Sequence, residues 1–421
     1  MSDRAADSAE AVFREEWSRL LATLVRWVGD LDLAEEVAAD AMAVALERWP
    51  VEGVPSRPAA WLLTTARRRA VDLLRRRQTY AAKLAVLGVE AQRAESERLG
   101  AAAPDPDLIG DDRLRLFFTC CHPALAADAR VALTLRYLAG LSTAEVARAF
   151  LVPETTMARR LVRAKHKIRD AQIPYRVPSA AELPARLPAV LSVIYVIFTE
   201  SYAASIGPTL VRPDLADEAV RLARILHDLL PAQREVAGLL ALLLLVDARR
   251  AARTDEAGDL VLLEDQDRSR WDRTMIDEGR ALVVEALRGG SPGPYALQAA
   301  IAALHDEAES AETTDWPQIV GLYDVLRATA PSALVELNRA VAVAMAEGPA
   351  AGLALIRELS GSGELDRYHL FHAARARLLD RLGRFEEAAQ AYRRALDLAG
   401  NEPERAFLAR CLATAEARTN E

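Results

Sequence analysis

Cysteine is almost missing from this chain: there are three in 421 residues, and two of them are adjacent as Cys120-Cys121. A disulfide framework is thereby excluded, and a reducing compartment is expected. Cys120-Cys121-His122 is also a poor start for a metal centre. Neighbours on a helix point about 100° apart, and no second Cys/His cluster lies nearby in sequence to complete a tetrahedron. Core packing is the expectation for these residues, and neither a metal nor a cofactor is expected. Aromatics make up 5% of the chain and alternating β-branched runs are nearly absent, which argues against a sheet and for an all-α fold. No phosphate-binding glycine loop and no nucleophile elbow can be found, so an enzyme is the least favoured class. The histidines are few, six in all. His369 and His372 have an i, i+3 spacing compatible with metal, but a partly buried helical face is the preferred reading. No basic-then-apolar leader opens the chain, since Met1 to Glu10 is polar and acidic. The longest apolar stretches, Leu187 to Phe198 and Val236 to Val246, fall short of the roughly twenty residues that cross a bilayer. A cytoplasmic protein with no membrane association is expected.

What is present is helix-forming sequence with an uneven charge. Half the residues are apolar, and the length calls for two or more domains. Residues 1 to 178 carry 27 Lys plus Arg against 24 Asp plus Glu, whereas residues 179 to 421 carry 26 against 37. The front half is therefore the nucleic-acid candidate. Its first helix, over residues 11 to 28, turns Phe13, Trp17, Leu20, Leu21, Leu24, Val25 and Val28 to one side and ends at Gly29. A second runs from near Asp32 to Trp49, with Glu35, Glu36 and Asp40 near its start and Pro50 as its stop. After an irregular loop from Val51 to Pro58, a third helix from Ala59 to Arg77 faces Leu62, Leu63, Ala66, Ala70, Leu73 and Leu74 inward. Its other side carries Arg67, Arg68, Arg69, Arg75, Arg76 and Arg77. Gly88 to Asp112 is rich in Gly, Ala, Pro and mixed charge and reads as a linker.

The most informative segment is Leu141 to Arg169, two helices joined by a tight turn. Ser142 and Glu145 form a capping box, so the first helix should begin at Thr143, with Val146, Ala149 and Phe150 on its apolar side. The turn falls at Leu151 to Pro153. A second helix from about Thr155 aligns Met157, Leu161, Ala164 and Ile168 on one face and leaves Thr156, Arg159, Arg160, Arg163, Lys165, Lys167 and Arg169 to solvent. Between Pro153 and Ile173 there are six Lys or Arg against two acids. A helix inserted in a DNA groove needs such a surface: arginines neutralise phosphates, and those near its N-terminus can fork onto guanine edges. Taken alone, the segment also fits an ordinary solvated basic helix.

Downstream, Pro174, Pro178, Pro184 and Pro188 punctuate a junction. From Tyr295 onward helix pairs recur at a spacing of about 35 residues, with Gly348 and Gly383 at equivalent turns. Arg381 to Leu396 matches the tetratricopeptide pattern of small residues and one aromatic, Tyr392. Such units stack into a curved array because none can bury its faces alone. The charge-dense stretch Leu260 to Asp272 is open to two readings, a partner-binding segment or a self-paired surface loop.

The order of these parts resembles a bacterial sigma factor of the extracytoplasmic-function type. The resemblance rests on Gly29-Asp30 with Ala34-Glu35-Glu36-Val37, on Ala60-Trp61-Leu62-Leu63 with Ala66-Arg67-Arg68-Arg69-Ala70-Val71-Asp72-Leu73-Leu74-Arg75-Arg76, and on the helix-turn-helix. Leu116 to Leu125, Ile173 to Pro178 and the long tail are similar to a subgroup with a tetratricopeptide-like extension, often encoded beside DGPF-motif proteins. It implies two small helical modules, residues 10–80 and 111–175, joined by a linker over 81–110. A helical extension over 179–421 follows, repeat-like from about 295 to 400. It implies that Glu35, Glu36 and Asp40 dock on core RNA polymerase, with the β′ clamp and β flap as partners. Arg67, Arg68, Arg69 and Arg75 would lie along the minus-ten element of promoter DNA, and the Val51 to Pro58 loop would take an extruded base. Trp61 would be a wedge or a core residue, core being preferred. Thr156, Arg159, Arg160, Arg163 and Lys165 would read the minus-thirty-five element. Ala39 and Arg159 stand where the family has a glutamine and a small polar residue. A protein partner or regulator is implied for the repeats. Two alternatives remain: a one-component helix-turn-helix regulator with a repeat-type sensing domain, and a repeat scaffold.

Overall fold

The computed structural model describes residues 16–85, 109–150, 152–202, 211–256 and 258–419. Among them the regular elements are helices, with one isolated antiparallel bridge between Thr254 and Leu260. The chain forms two compact units, Met1–Ile194 and Tyr195–Glu421.

In the first unit α1 covers residues 16–28. Trp17, Leu20, Leu21, Leu24 and Val25 are buried, as one apolar stripe requires, but so are Ser18, Ala22 and Thr23. A surface helix would leave those three in water, so α1 is enclosed on more than one side. Phe13 lies outside the described residues. Asp30 caps α2 (Leu31–Glu52) by accepting from the Leu33 amide at 2.9 Å. The helix passes through Pro50 instead of stopping there. Proline lacks the amide that would reach the Leu46 carbonyl, but Leu46 is exposed and solvent is free to replace the bond. Gly53, at φ 84, closes the helix by donating to the Trp49 carbonyl. In α3 (Pro58–Ala85) the buried Leu62, Ala66, Ala70 and Leu74 repeat every four residues, and α3 packs on α2. Most of the linker expected over 81–110 lies outside the described residues, as does the side chain of Arg77.

α4 (Ile109–Cys120) is followed by α5 (Ala127–Leu133), which runs into one π turn, Thr134–Leu138. Then comes α6 (Thr143–Ala149), whose capping box forms as expected: Ser142 accepts from the Glu145 amide and Glu145 from the Ser142 amide. After the turn, whose Leu151 lies outside the described residues, α7 (Glu154–Asp170) buries Met157, Leu161 and Ala164. α8 (Leu183–Tyr202) opens in this unit, where Arg186 donates to the Phe118 carbonyl at 3.0 Å. It is 20 residues long and apolar enough to match a membrane span by length and composition, yet Leu187, Val190, Leu191, Val193 and Ile194 are buried within the protein.

The second unit continues with α9 (Pro213–Leu229), α10 (Arg234–Asp247), α11 (Arg273–Leu287) and α12 (Pro294–Glu307). α10 is buried from Val236 through Leu245, and α9, α11 and α12 pack around it. At Gly238 an added Cβ would sit 2.7 Å from the Ala296 amide nitrogen, so the close approach of α12 requires glycine. α13 (Trp316–Thr329), α14 (Ala333–Glu347), α15 (Pro349–Ser360), α16 (His369–Arg381), α17 (Phe385–Leu398) and α18 (Glu402–Thr419) then pack in sequence, each on the next. α14 to α18 share a core that includes Leu337, Leu353, Ile356, Phe371, Leu379, Tyr392 and Leu408, while Ile319 of α13 packs with Ile301 and Ala342. Two charged residues of Leu260 to Asp272 find partners elsewhere in this unit. Glu264 pairs with Arg377, and Arg268 donates to the carbonyls of His305 and Ala308.

Candidate nucleic-acid interface

Because Met157, Leu161 and Ala164 face the core, the helical period turns Arg159 and Arg163 outward, both exposed, with Thr156 and Arg160 half-buried beside them. Among the described residues Arg159, Arg160 and Arg163 have no carboxylate partner. Unpaired guanidiniums on one helical face form an anion-binding surface, with donors spaced to fork onto phosphates or base edges. Lys165 is placed differently. Its ammonium lies 2.5 Å from Asp32 and 3.0 Å from Glu35 of α2, with the side chain only 14% exposed.

On α3 the four arginines expected to meet DNA, Arg67, Arg68, Arg69 and Arg75, also diverge. Arg68 and Arg75 are exposed, and Arg69 is exposed but bound to Asp40 at 2.6 Å. Arg67 is turned inward over the Trp27 ring, 5.8 Å from its centroid; its Nε and one Nη are buried without a partner. Burial and the neighbouring Arg26 charge both lower its pKa. Trp61 is half-buried and meets Trp49 edge-on at 5.6 Å.

Of the three α2 acids expected to meet polymerase, Glu36 is exposed, Asp40 pairs with Arg69, and Glu35 is the centre of a cluster. Its carboxylate lies 2.8 Å from Arg136 and 3.0 Å from Lys165, and it accepts a 2.8 Å hydrogen bond from the Tyr137 hydroxyl. Burial works to raise its pKa. The charges of Arg136 and Lys165 and the hydrogen bonds from Lys165 and Tyr137 outweigh that and hold it below the ordinary carboxylate range. Arg136 also donates to the Leu141 carbonyl and covers Trp17, whose indole donates to the Arg136 carbonyl at 3.2 Å. A second tie lies at Tyr175, whose hydroxyl donates to the carbonyl of Ala22 at 2.8 Å and reaches that of Asp112. Asp112 itself takes Arg26 at 3.3 Å. These contacts explain why α1 is enclosed. The first module, α1 to α3, and the second, α4 to α7, form one body within the first unit.

Arg136 and Tyr137 escaped the sequence reading. Their one signal was polarity inside the apolar run Val131 to Ala139, where an arginine and a tyrosine need partners. Cys120 and Cys121 are buried, and burial pushes the Cys121 thiol up to about 11 while its sulfur touches the Thr134 hydroxyl. His369 and His372 turn to different partners, Glu404 and the Asp366 carbonyl.

Known proteins match this arrangement in the same order. Residues 12–80 match the family described as Sigma-70 region 2, and residues 118–168 that described as Sigma-70, region 4. Proteins named ECF RNA polymerase sigma factor SigK, from Mycobacterium tuberculosis (strain ATCC 25618 / H37Rv) and Mycobacterium bovis (strain BCG / Pasteur 1173P2), are 30% identical over 183 residues. The match covers 40% of this chain and 89% of theirs. The chain belongs to the ECF sigma factor family. This sigma factor is also similar, at 46% identity over 391 residues, to Uncharacterized protein R00370 of Rhizobium meliloti (strain 1021), covering 92% of the chain and 91% of that protein. Residues 186–287 match a family of unknown function, DUF6596.

Proposed function

We propose that this sigma factor binds core RNA polymerase and directs promoter-specific initiation in the cytoplasm through two DNA-reading surfaces. The observation that carries the reading is the outward face of α7, with Arg159, Arg160 and Arg163 unpaired on a capped helix-turn-helix. They and Thr156 are assigned to the minus-thirty-five element, with Lys165 as a phosphate contact once it is free of its acids. Arg68, Arg69 and Arg75 are assigned to the minus-ten element, with Arg67 behind them. The core-binding acids are Glu36, Asp40 and, when released, Glu35, directed at the β′ clamp, while the second module meets the β flap. The module limits we assign are 10–80 and 111–175, with the extension over 179–421.

Purified full-length protein mixed with core polymerase should co-elute with it and direct run-off transcription from a cognate promoter. A one-component regulator would bind DNA without conferring initiation on core polymerase, which separates the two readings.

For the extension we propose a supporting role, built on tetratricopeptide-like units from about 295 to 400 that also offer a surface to a protein partner. The start of α8 supports this, since Leu187, Val190 and Leu191 are apolar and Arg186 binds the Phe118 carbonyl in the first unit. A chain cut after Pro178 would lose that cover. It should initiate less well than the full protein at equal soluble concentration; higher activity would point to masking instead.

A further inference from the structure

We propose that the second unit binds a small organic acid, a molecule with an apolar body and one anionic group, in the cavity between α9, the end of α10 and the start of α11. The site lies in the extension alone, so it stands or falls apart from the sigma reading.

The cavity measures about 1120 Å³. That is the scale of a small-molecule site and far beyond the water-sized voids that close packing leaves. All its walls come from the second unit. Its apolar lining includes Val211, Val220, Ala248, Ala251, Met275 and, at the start of α18, Pro403. Hydrocarbon facing a hollow of that size is stabilised by an apolar body laid on it.

The wall is built in advance of any ligand. Arg250 is held by Asp247 of α10 and, at 2.7 Å, by Asp217 of α9, which fixes both helices to the 3-10 turn Arg250–Ala252. The Asp272 amide donates to the Ala248 carbonyl at 2.9 Å and fixes the start of α11 to the same place. A site that is already ordered loses little affinity to ordering.

The charge of the ligand follows from which lining groups are already occupied. Four arginines and three aspartates line the cavity, and all but one of them serve the protein itself. Arg250 takes Asp217 and Asp247 together. Arg221 pairs with Glu218 at 2.8 Å, and Arg224 forks onto Glu278, with one arm at 2.8 Å. Asp272 caps α11 by accepting from the Met275 amide at 3.0 Å. Arg270 is left, exposed and with no carboxylate partner among the described residues. Asp267, on the same turn, accepts instead from the amide and hydroxyl of Ser269, at 2.9 and 2.6 Å. Thr254 adds a hydroxyl that no described residue engages. A cation entering the cavity meets carboxylates already paired, whereas an anion meets a free guanidinium.

Two naphthalene dyes of similar shape test this on the full chain. One, 1-anilinonaphthalene-8-sulfonate, bears a single anionic group; the other, N-phenyl-1-naphthylamine, bears none. Both should bind saturably at one site by fluorescence and calorimetric stoichiometry, and decanoate should displace both. Arg270→Gln should weaken the sulfonate about fivefold and the uncharged dye less than about twofold, the scale of an ion pair at a wet rim. Arg270→Lys, which keeps the charge, should recover most of the sulfonate's affinity. Ala251→Trp, at an exposed position on a short turn, fills the cavity with an indole and should weaken both dyes at least about tenfold. Arg270 is exposed, so its variants remain available whatever the indole does to folding. An Arg270→Gln effect that is absent, or equal for the two dyes, overturns the anionic anchor. Full binding of both dyes by a folded Ala251→Trp chain, or no saturable binding by the unaltered chain, overturns the site.

Discussion

Two polar clusters in this chain use the same chemistry to different ends. In the second unit Arg249 and Asp306 meet at 2.7 Å with side chains 5% and 0% exposed, and Arg249 also donates to the Ala302 carbonyl and lies over Trp271. In the first unit Glu35 takes Arg136 and Lys165 at similar distances, but those side chains keep 14% to 19% of their exposure. Water at the rim changes the energetics. A dry pair that separates leaves an uncompensated charge in low dielectric, whereas a pair at the edge of solvent can be handed over to another partner. The first kind fastens a fold; the second can belong to a moving part.

The largest expected effect breaks the dry cluster. Asp306→Ala should destabilise the second unit by about 3–5 kcal/mol, since it strands Arg249 beside the Arg268 that shares the Trp271 ring. Urea unfolding of the full chain measures this, and a loss below about 1 kcal/mol would show that the pair is effectively wet. Next come the exposed arginines of α7, which belong to neither cluster. Arg160→Ala and Arg163→Ala should each cost about 1–3 kcal/mol of specific binding if they fork onto bases, with helicity unchanged. A phosphate contact would appear chiefly as a shallower salt dependence in gel-shift titrations. If neither variant binds or initiates less well, α7 is not the reader.

The dry cluster should also announce itself through pH. Burial first, and then the charges of Arg249 and Arg268, push the His305 pKa down from 6.5 to about 3. Between those values the unfolded chain binds a proton that the folded chain refuses. Stability is therefore fully present above pH 6.5 and falls as pH drops toward 3, by up to about 1.4 kcal/mol per pH unit. His305→Phe, which keeps an aromatic ring against Trp316, should flatten that slope in unfolding curves measured from pH 7 to pH 4. An unchanged slope would place the titrating group elsewhere.

Local signals were legible in the sequence and long-range pairings were not. The capping box at Ser142 and Glu145, the apolar face of α7 and the apolar run Val236 to Val246 of α10 all follow from the pattern within one helix. Pro50 was misread because a stop signal was taken from residue type alone, while its cost depends on whether the stranded carbonyl can reach solvent. The second buried side of α1 was invisible, since Ser18, Ala22 and Thr23 look like a solvent face until another module covers them. Glu35 and Arg136 are 101 positions apart, and no periodicity links them. The site reading therefore named the charged groups on α2, α3 and α7 without seeing that some neutralise one another.

The smallest expected effect sharpens the contrast most directly. Tyr137→Phe removes one hydrogen bond to Glu35 while leaving Arg136 and Lys165 in place, so the carboxylate stays paired and no charge is stranded. The first unit should lose only about 1 kcal/mol, several-fold less than Asp306→Ala costs the second. Amide hydrogen exchange in α1 and α2 reads this without needing the whole chain to unfold, because opening of the modules exposes α1 before either module melts. Faster exchange at Ser18, Ala22 and Thr23 with unchanged exchange at Leu62 and Ala66 is the pattern expected of a hinge-like opening. Uniform acceleration through α1, α2 and α3, or a loss above about 3 kcal/mol, would make the Glu35 cluster a fastener of the same kind as Arg249 and Asp306.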